Sequence, residues 1–176
     1  FIPGVVKGFA FAIDVFTNSS DKIIIQPPVY PPFKSTTEGL SREIVTNPLL
    51  FEDGQYRMDF DNLREVVKEG AKMLILCNPQ NPSGRIWNKE ELSELAEICY
   101  DNNILVVSDE IHADLVLPGY KHVPSASVSE KAAQNNITLM APSKTFNIAG
   151  IVSSFAVVEN KEIRKRYFDY LNAREL

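Results

Sequence analysis

The chain contains no run approaching the ~18 consecutive apolar residues that a membrane-spanning helix needs, so a transmembrane reading has nothing to rest on. No basic stretch followed by an apolar one stands at its start, the pattern of a secretory leader. An excess of positive charge is also missing. Against 23 Asp and Glu there are 18 Lys and Arg, a net charge of -5, so no whole-molecule positive field gathers phosphates and a general nucleic-acid coat is excluded. Cysteine is scarce: Cys77 and Cys99 each sit in an apolar run, with no second Cys or His at metal-ligand spacing. No metal site is expected, and both thiols read as small buried hydrophobes of a reduced, cytoplasmic protein. Internal repeats, low-complexity tracts and blocks of like charge are absent.

What the chain does have is enough Ile, Val, Leu and Phe to fold. It is 44% hydrophobic over 176 residues, which excludes intrinsic disorder and suits one domain of roughly 100–200 residues. The first residue is Phe1 rather than Met, and Asn172–Leu176 reads as mid-helix, so the expectation is a piece of a longer protein.

Short β-branched runs alternate with longer runs of helical period. Strands are expected at Lys22–Gln26, Met73–Cys77, Ile104–Ser108, Ile137–Met140 and Val152–Val158. Most are continuously apolar, as strands buried on both faces of a largely parallel sheet should be. Asn88 can cap a helix with Glu91 completing a capping box, and Leu92, Leu95, Ala96 and Cys99 then form one apolar stripe. Further helices are expected from about Phe60 to Lys68, immediately after Pro3-Gly4, and from Asn160 to the end. The Pro-dense segment Gln26–Phe33 reads as a loop. Alternating strands and helices define an α/β fold, with a mainly parallel sheet flanked by helices.

In open α/β sheets, ligands sit beyond the carboxyl ends of the strands. Tyr30 follows the first expected strand, Asn78-Pro79-Gln80-Asn81-Pro82-Ser83-Gly84 the second, Asp109-Glu110-Ile111-His112 the third, and Ala141-Pro142-Ser143-Lys144-Thr145 the fourth. Parallel strands would bring an amide, a carboxylate, an imidazole and an ammonium to one edge. Gly4, ahead of the first helix, would add free backbone N–H groups, a ready anion site. Each residue also has a plain structural role open to it. Asn81 can shape turns, Asp109 can cap the turn after its strand, Lys144 can be a surface lysine, His112 a packed structural histidine and Tyr30 a packing aromatic. Their joint order after successive strands favours a site. The run Ile104–Glu110 also looks like the strand and acidic pair of nucleotide hydrolases. That reading needs GxxxxGK[ST], and no glycine precedes Ser143-Lys144-Thr145 in its loop.

The order Tyr30, NPQNPSG, SDEIHADL and APSKTFNIAG resembles fold-type I pyridoxal-phosphate enzymes of the aminotransferase class I/II superfamily. With PGVV and PVYPPF added, it is most similar to the cystathionine β-lyase (C–S lyase) branch. The resemblance implies that residues 1–176 are most of the large cofactor-binding domain, with an N-terminal segment and a C-terminal small domain outside them. It implies pyridoxal 5'-phosphate held as a Schiff base by Lys144, which also moves protons at the substrate α-carbon. Asp109 would face the pyridine nitrogen, Asn81 the ring hydroxyl and Tyr30 the ring face. The backbone at Gly4, Val5 and Val6, with the Ser143 hydroxyl, would hold the phosphate.

Those residue types suit the chemistry. A carboxylate keeps the pyridine nitrogen protonated, the protonated ring stabilises a carbanion, and a free lysine amine is a general base at close range. Two departures stand out. His112 occupies a position where most aminotransferases have tyrosine, so its role is open beyond contact with the cofactor edge. The segment Asn147–Val152 lacks the phosphate-binding arginine of many relatives. The resemblance further implies an amino-acid substrate, a homodimer at full length, and α,β-elimination of L-cystathionine or related cysteine S-conjugates. A pyridoxal-phosphate aminotransferase and a truncated, non-catalytic cofactor-binding module are the alternatives.

Overall fold

A computed structural model describes residues 1–175. Eight strands and six helices run in the order α1 (Val5–Phe16), β1 (Lys22–Ile25), α2 (Pro31–Gly39), β2 (Glu43–Thr46), β3 (Leu50–Glu52), β4 (Gln55–Arg57), α3 (Phe60–Val66), β5 (Met73–Cys77), α4 (Lys89–Asp101), β6 (Leu105–Asp109), α5 (Glu130–Gln134), β7 (Asn136–Met140), β8 (Phe155–Val157) and α6 (Lys161–Asn172). Six strands form one sheet in the order β2-β1-β5-β6-β7-β8, while β3 and β4 make a separate antiparallel hairpin. Every pairing in the large sheet is parallel except β7 with β8.

Side chains alternate across each strand, and the two faces build two cores. Ile24, Leu74, Leu76 and Val106 pack with Leu63 of α3 and with Leu92 and Leu95 of α4. Ile23, Ile25, Met73, Ile75 and Val107 pack with Phe9 and Ile13 of α1, Phe33 of α2 and Tyr167 and Leu171 of α6. Helices cover both faces, which is why the strands read as unbroken apolar runs.

Local signals placed several elements. Asn88 accepts from the Glu91 backbone N–H at 2.8 Å, and the Glu91 carboxylate accepts from the Asn88 N–H at 2.9 Å, completing the expected capping box. The stripe behind it is buried at Leu92, Leu95, Ala96 and Cys99.

Other expectations need correction. α2 begins at Pro31, so the end of the segment Gln26–Phe33 is helix rather than loop. Proline has no N–H to lose at a first helical turn, and its fixed φ suits that position. The last strand is only Phe155–Val157, antiparallel, with Val152 exposed. The final helix stops at Asn172 and Ala173–Glu175 is a turn, so the terminal residues described are not mid-helix; the end of that expectation, Leu176, lies outside the described residues. β2, the β3–β4 hairpin and α5 have no counterpart among the expected elements.

Candidate active site

Four adjacent parallel strands, β1, β5, β6 and β7, end on one edge of the sheet. There Tyr30, Asn81, Asp109, His112, Ser143 and Lys144 wall a single cavity of about 190 Å³, together with Val5 and Val6 of α1. All these residues were singled out from the sequence. Gly4 was too, but it stands one residue back as the cap of α1 and does not wall the cavity. Its φ of 106° is open to glycine and strained for other residues. The first bond within α1 is from the Gly8 N–H to the Gly4 carbonyl at 2.9 Å. The N–H groups of Val5 and Val6 are therefore left at the cavity end of the helix.

Each side chain is held by its element. Tyr30 packs edge-on against Phe33 at 6.0 Å, and Phe33 against Phe9 at 5.1 Å, so the ring is braced from the core. In the Asn78–Gly84 loop, Gln80 donates to the Pro28 carbonyl at 2.6 Å and accepts from the Ser83 N–H at 2.8 Å. Trp87, 1% exposed, donates from Nε1 to the Cys77 carbonyl at 2.9 Å. The loop is thus pinned on both sides of Asn81, whose carboxamide meets no hydrogen-bond partner among the described residues. Lys144 follows β7 in a turn closed by the Ile148 N–H on the Ser143 carbonyl at 2.9 Å. Thr145 ties that turn to Asp114 at 2.8 Å. The Lys144 ammonium is exposed and enters no salt bridge among the described residues.

The electrostatics centre on Asp109. It is buried, and its carboxylate accepts one hydrogen bond, from the Ile111 N–H at 3.1 Å. Burial pushes its carboxyl up to about 7; the Ile111 bond opposes this, Glu110 adds to it, and Lys144 opposes it. A carboxylate so placed lacks a sufficient counter-charge. His112, half-buried, is held below the usual imidazole range by burial first and by Lys144 second.

Sequence reasoning missed two walls, Cys77 and Ile111. Cys77 is the ladder partner of Asp109. Its thiol accepts from the Asn81 N–H at 3.3 Å, and burial pushes it up to about 12, so it is a neutral wall. Strand alternation was a usable signal, because Cys77 shares a face with Met73 and Ile75. A wider cleft of about 610 Å³ adjoins, sharing Asn81 and His112. No cluster of His, Cys, Asp and Glu among the described residues is placed to hold a metal ion.

An α/β sheet with a lysine, a buried carboxylate and an amide at neighbouring strand ends defines a class of protein, and comparison supplies its family. Residues 1–172 match the family model for aminotransferase class I and II, and the chain belongs to that family. It is 45% identical over 168 residues to cystathionine β-lyase PatB of Bacillus subtilis, covering 95% of this chain and 43% of that protein. Cystalysin from Treponema denticola, whose crystal structure contains a pyridoxal 5'-phosphate cofactor, superposes with a TM-score of 0.93 at 40% identity, over 97% of this chain and 44% of that one. The pyridoxal phosphate-bound C–S lyase from Staphylococcus hominis gives a TM-score of 0.91 at 35% identity, over 96% of this chain and 43% of that one. The chain spans less than half the length of each of these proteins.

Proposed function

We propose that residues 1–176 are most of the large, cofactor-binding domain of a pyridoxal phosphate-dependent C–S lyase. Its reaction is the cleavage of L-cystathionine or a related cysteine S-conjugate, with water, to a thiol, pyruvate and ammonia. One observation carries the reading: a single cavity is walled by a lysine, a buried carboxylate, an unpartnered amide and an aromatic ring at adjacent strand ends. Preference for elimination rests on the identity to a cystathionine β-lyase.

The donor set fits pyridoxal phosphate. Asp109 is a buried carboxylate short of a counter-charge, which a protonated pyridine nitrogen would supply. Asn81 offers a free neutral donor for a ring hydroxyl, and Tyr30 a braced aromatic face. The N–H groups of Val5 and Val6 and the Ser143 hydroxyl suit a phosphate, with Gly4 shaping the start of the helix. When bound, the cofactor supplies an aldehyde that takes up an amine and a ring that withdraws electrons from the substrate α-carbon.

The chain's own groups do the rest. Lys144 would hold the cofactor through its amine, and as a free amine it would take the α-proton of the substrate as a general base. Asp109 would hold a protonated pyridine nitrogen by supplying the opposite charge, and that protonated ring would supply the electron withdrawal. His112, held below the usual imidazole range by burial first and by Lys144 second, could contact the cofactor edge. The same reading makes the full-length protein a cytoplasmic homodimer. Phe146, Ile151 and Val152, exposed beside the lysine turn, are apolar surface that an assembly or the rest of the subunit would cover.

Incubating the full-length enzyme with cofactor and cystathionine and measuring pyruvate tests the reading. Pyruvate release supports it. Transfer of the amino group to a keto acid without pyruvate would replace it with an aminotransferase. Cofactor binding with neither activity would make the protein a non-catalytic binding module.

A further inference from the structure

The carboxylate beside Asp109 is more heavily bonded than Asp109 itself. Glu110 is 1% exposed. Its Oε1 accepts from the Ser108 hydroxyl at 2.9 Å, the Ser125 N–H at 2.9 Å and the Ser125 hydroxyl at 2.7 Å. Its Oε2 lies 2.7 Å from His122 Nε2, within hydrogen-bond reach. Ser125 also accepts from the Asn136 amide at 3.1 Å. One buried group thus gathers β6, the returning segment around residues 122–125 and β7. None of these partners walls the cofactor cavity.

An apolar residue would fill this place at less desolvation cost, so packing alone does not call for a carboxylate. The constraint it imposes is directed at the site. The Glu110 N–H donates to the Leu139 carbonyl at 2.9 Å, so backbone and side chain are both anchored. The next N–H, that of Ile111, is the one protein donor to the Asp109 carboxylate among the described residues. The Glu110 carbonyl accepts from the Ala113 N–H at 3.0 Å and closes the turn that carries His112. Glu110 therefore sits between two cavity walls and governs the peptide that orients each.

We propose that Glu110 and His122 are a positioning pair, clamping the turn after β6 so that the Ile111 N–H aims the Asp109 carboxylate and the His112 ring meets the cavity. The pair touches neither substrate nor cofactor and acts through Asp109 and His112. The proposal rests on the cavity being the reacting site.

The test uses full-length protein carrying His122→Phe, His122→Gln or Glu110→Gln. Hydrogen exchange at the Ile111 and Ala113 amides is read in cofactor-free protein; kcat, KM and the visible circular dichroism of bound cofactor are read in holoenzyme. In His122→Phe, exchange at Ile111 should speed by about tenfold or more. The visible dichroism should change and kcat should fall by about 10²-fold, because a small misplacement of reacting groups costs that much. KM should move by less than about threefold. His122→Gln, whose amide can donate to Glu110, should recover most of the lost kcat, and Glu110→Gln should behave like His122→Phe.

Unchanged kcat and Ile111 exchange in folded His122→Phe and Glu110→Gln would overturn the proposal. So would equal losses in His122→Phe and His122→Gln. If His122→Phe does not fold, His122→Gln set against Glu110→Gln decides: the proposal requires the first to be active and the second slow, and equal behaviour overturns it. Exchange is read without cofactor or substrate, so a failure of the lyase reading, seen in the wild-type pyruvate assay, stays distinct from a failure of the clamp.

Discussion

Asp109 and Glu110 are consecutive carboxylates at the end of one strand that serve opposite sides of it. Asp109 walls the cavity with Lys144, and its carboxylate accepts one hydrogen bond among the described residues; Glu110 is turned away into four close polar contacts with Ser108, His122 and Ser125. Backbone alternation separates them. The result is one carboxylate left short of partners for a ligand to complete, backed by one that is already satisfied.

Lys144 is expected to carry the cofactor covalently in the full-length enzyme. Its ammonium is exposed, free of salt bridges among the described residues, and at the cavity wall. Borohydride reduction of the holoenzyme followed by peptide mapping should find the label on Lys144. Label confined to other lysines would refute the assignment.

Asp109→Asn should keep bound cofactor yet lose most of the proposed lyase activity, since a neutral partner would no longer hold the ring nitrogen protonated. The loss of one such charge partner is expected to cost on the order of 10²-fold or more in rate. Near-normal turnover would reduce Asp109 to a turn-shaping residue.

Without cofactor, Asp109 should make stability depend on pH. Its folded value is raised to about 7 from 3.8, chiefly by burial, so the folded state prefers the protonated form. That contribution is fully present below about pH 4 and is lost as pH rises through about 7, an effect on the order of 4 kcal/mol for this one group. Urea unfolding of cofactor-free wild-type and Asp109→Asn proteins should show the wild type losing ground to the variant across that window. A pH-independent difference between the two would contradict it.

Gly8 lies where α1 packs on Ile2 and on Leu139 of β7. A Cβ there would lie 2.5 Å from Ile2 Cδ1 and 3.2 Å from Leu139 Cδ2, and the Gly8 carbonyl accepts from the Tyr167 hydroxyl at 2.8 Å. Gly8→Leu should destabilise the fold by about 1–3 kcal/mol through overpacking. By pushing α1 off β7 it should also weaken cofactor binding by about tenfold, or ~1.4 kcal/mol. Chemical denaturation and fluorescence titration measure the two effects, and unchanged binding would show that the Val5–Val6 end does not depend on this packing.

What the amino-acid sequence determined by itself was whatever is encoded between near neighbours. The box at Asn88 and Glu91 spans one helical turn, the stripe from Leu92 to Cys99 spans two, and both are present. That these candidate residues would share one cavity was legible for a related reason: Tyr30, Asn81, Asp109, His112 and Lys144 each follow a strand, and a parallel sheet delivers such positions to one edge. Tertiary structure decided the rest. β2 is half exposed and the β3–β4 hairpin largely so, which leaves little hydrophobic pattern to read. The direction of β8 follows from its pairing with β7, which no local signal states. The Glu110–His122 contact joins residues 12 apart through a loop that returns to the sheet edge. Periodicity and capping depend on residues a few positions apart, whereas the partners of a buried charge depend on which distant segment the packed chain brings beside it.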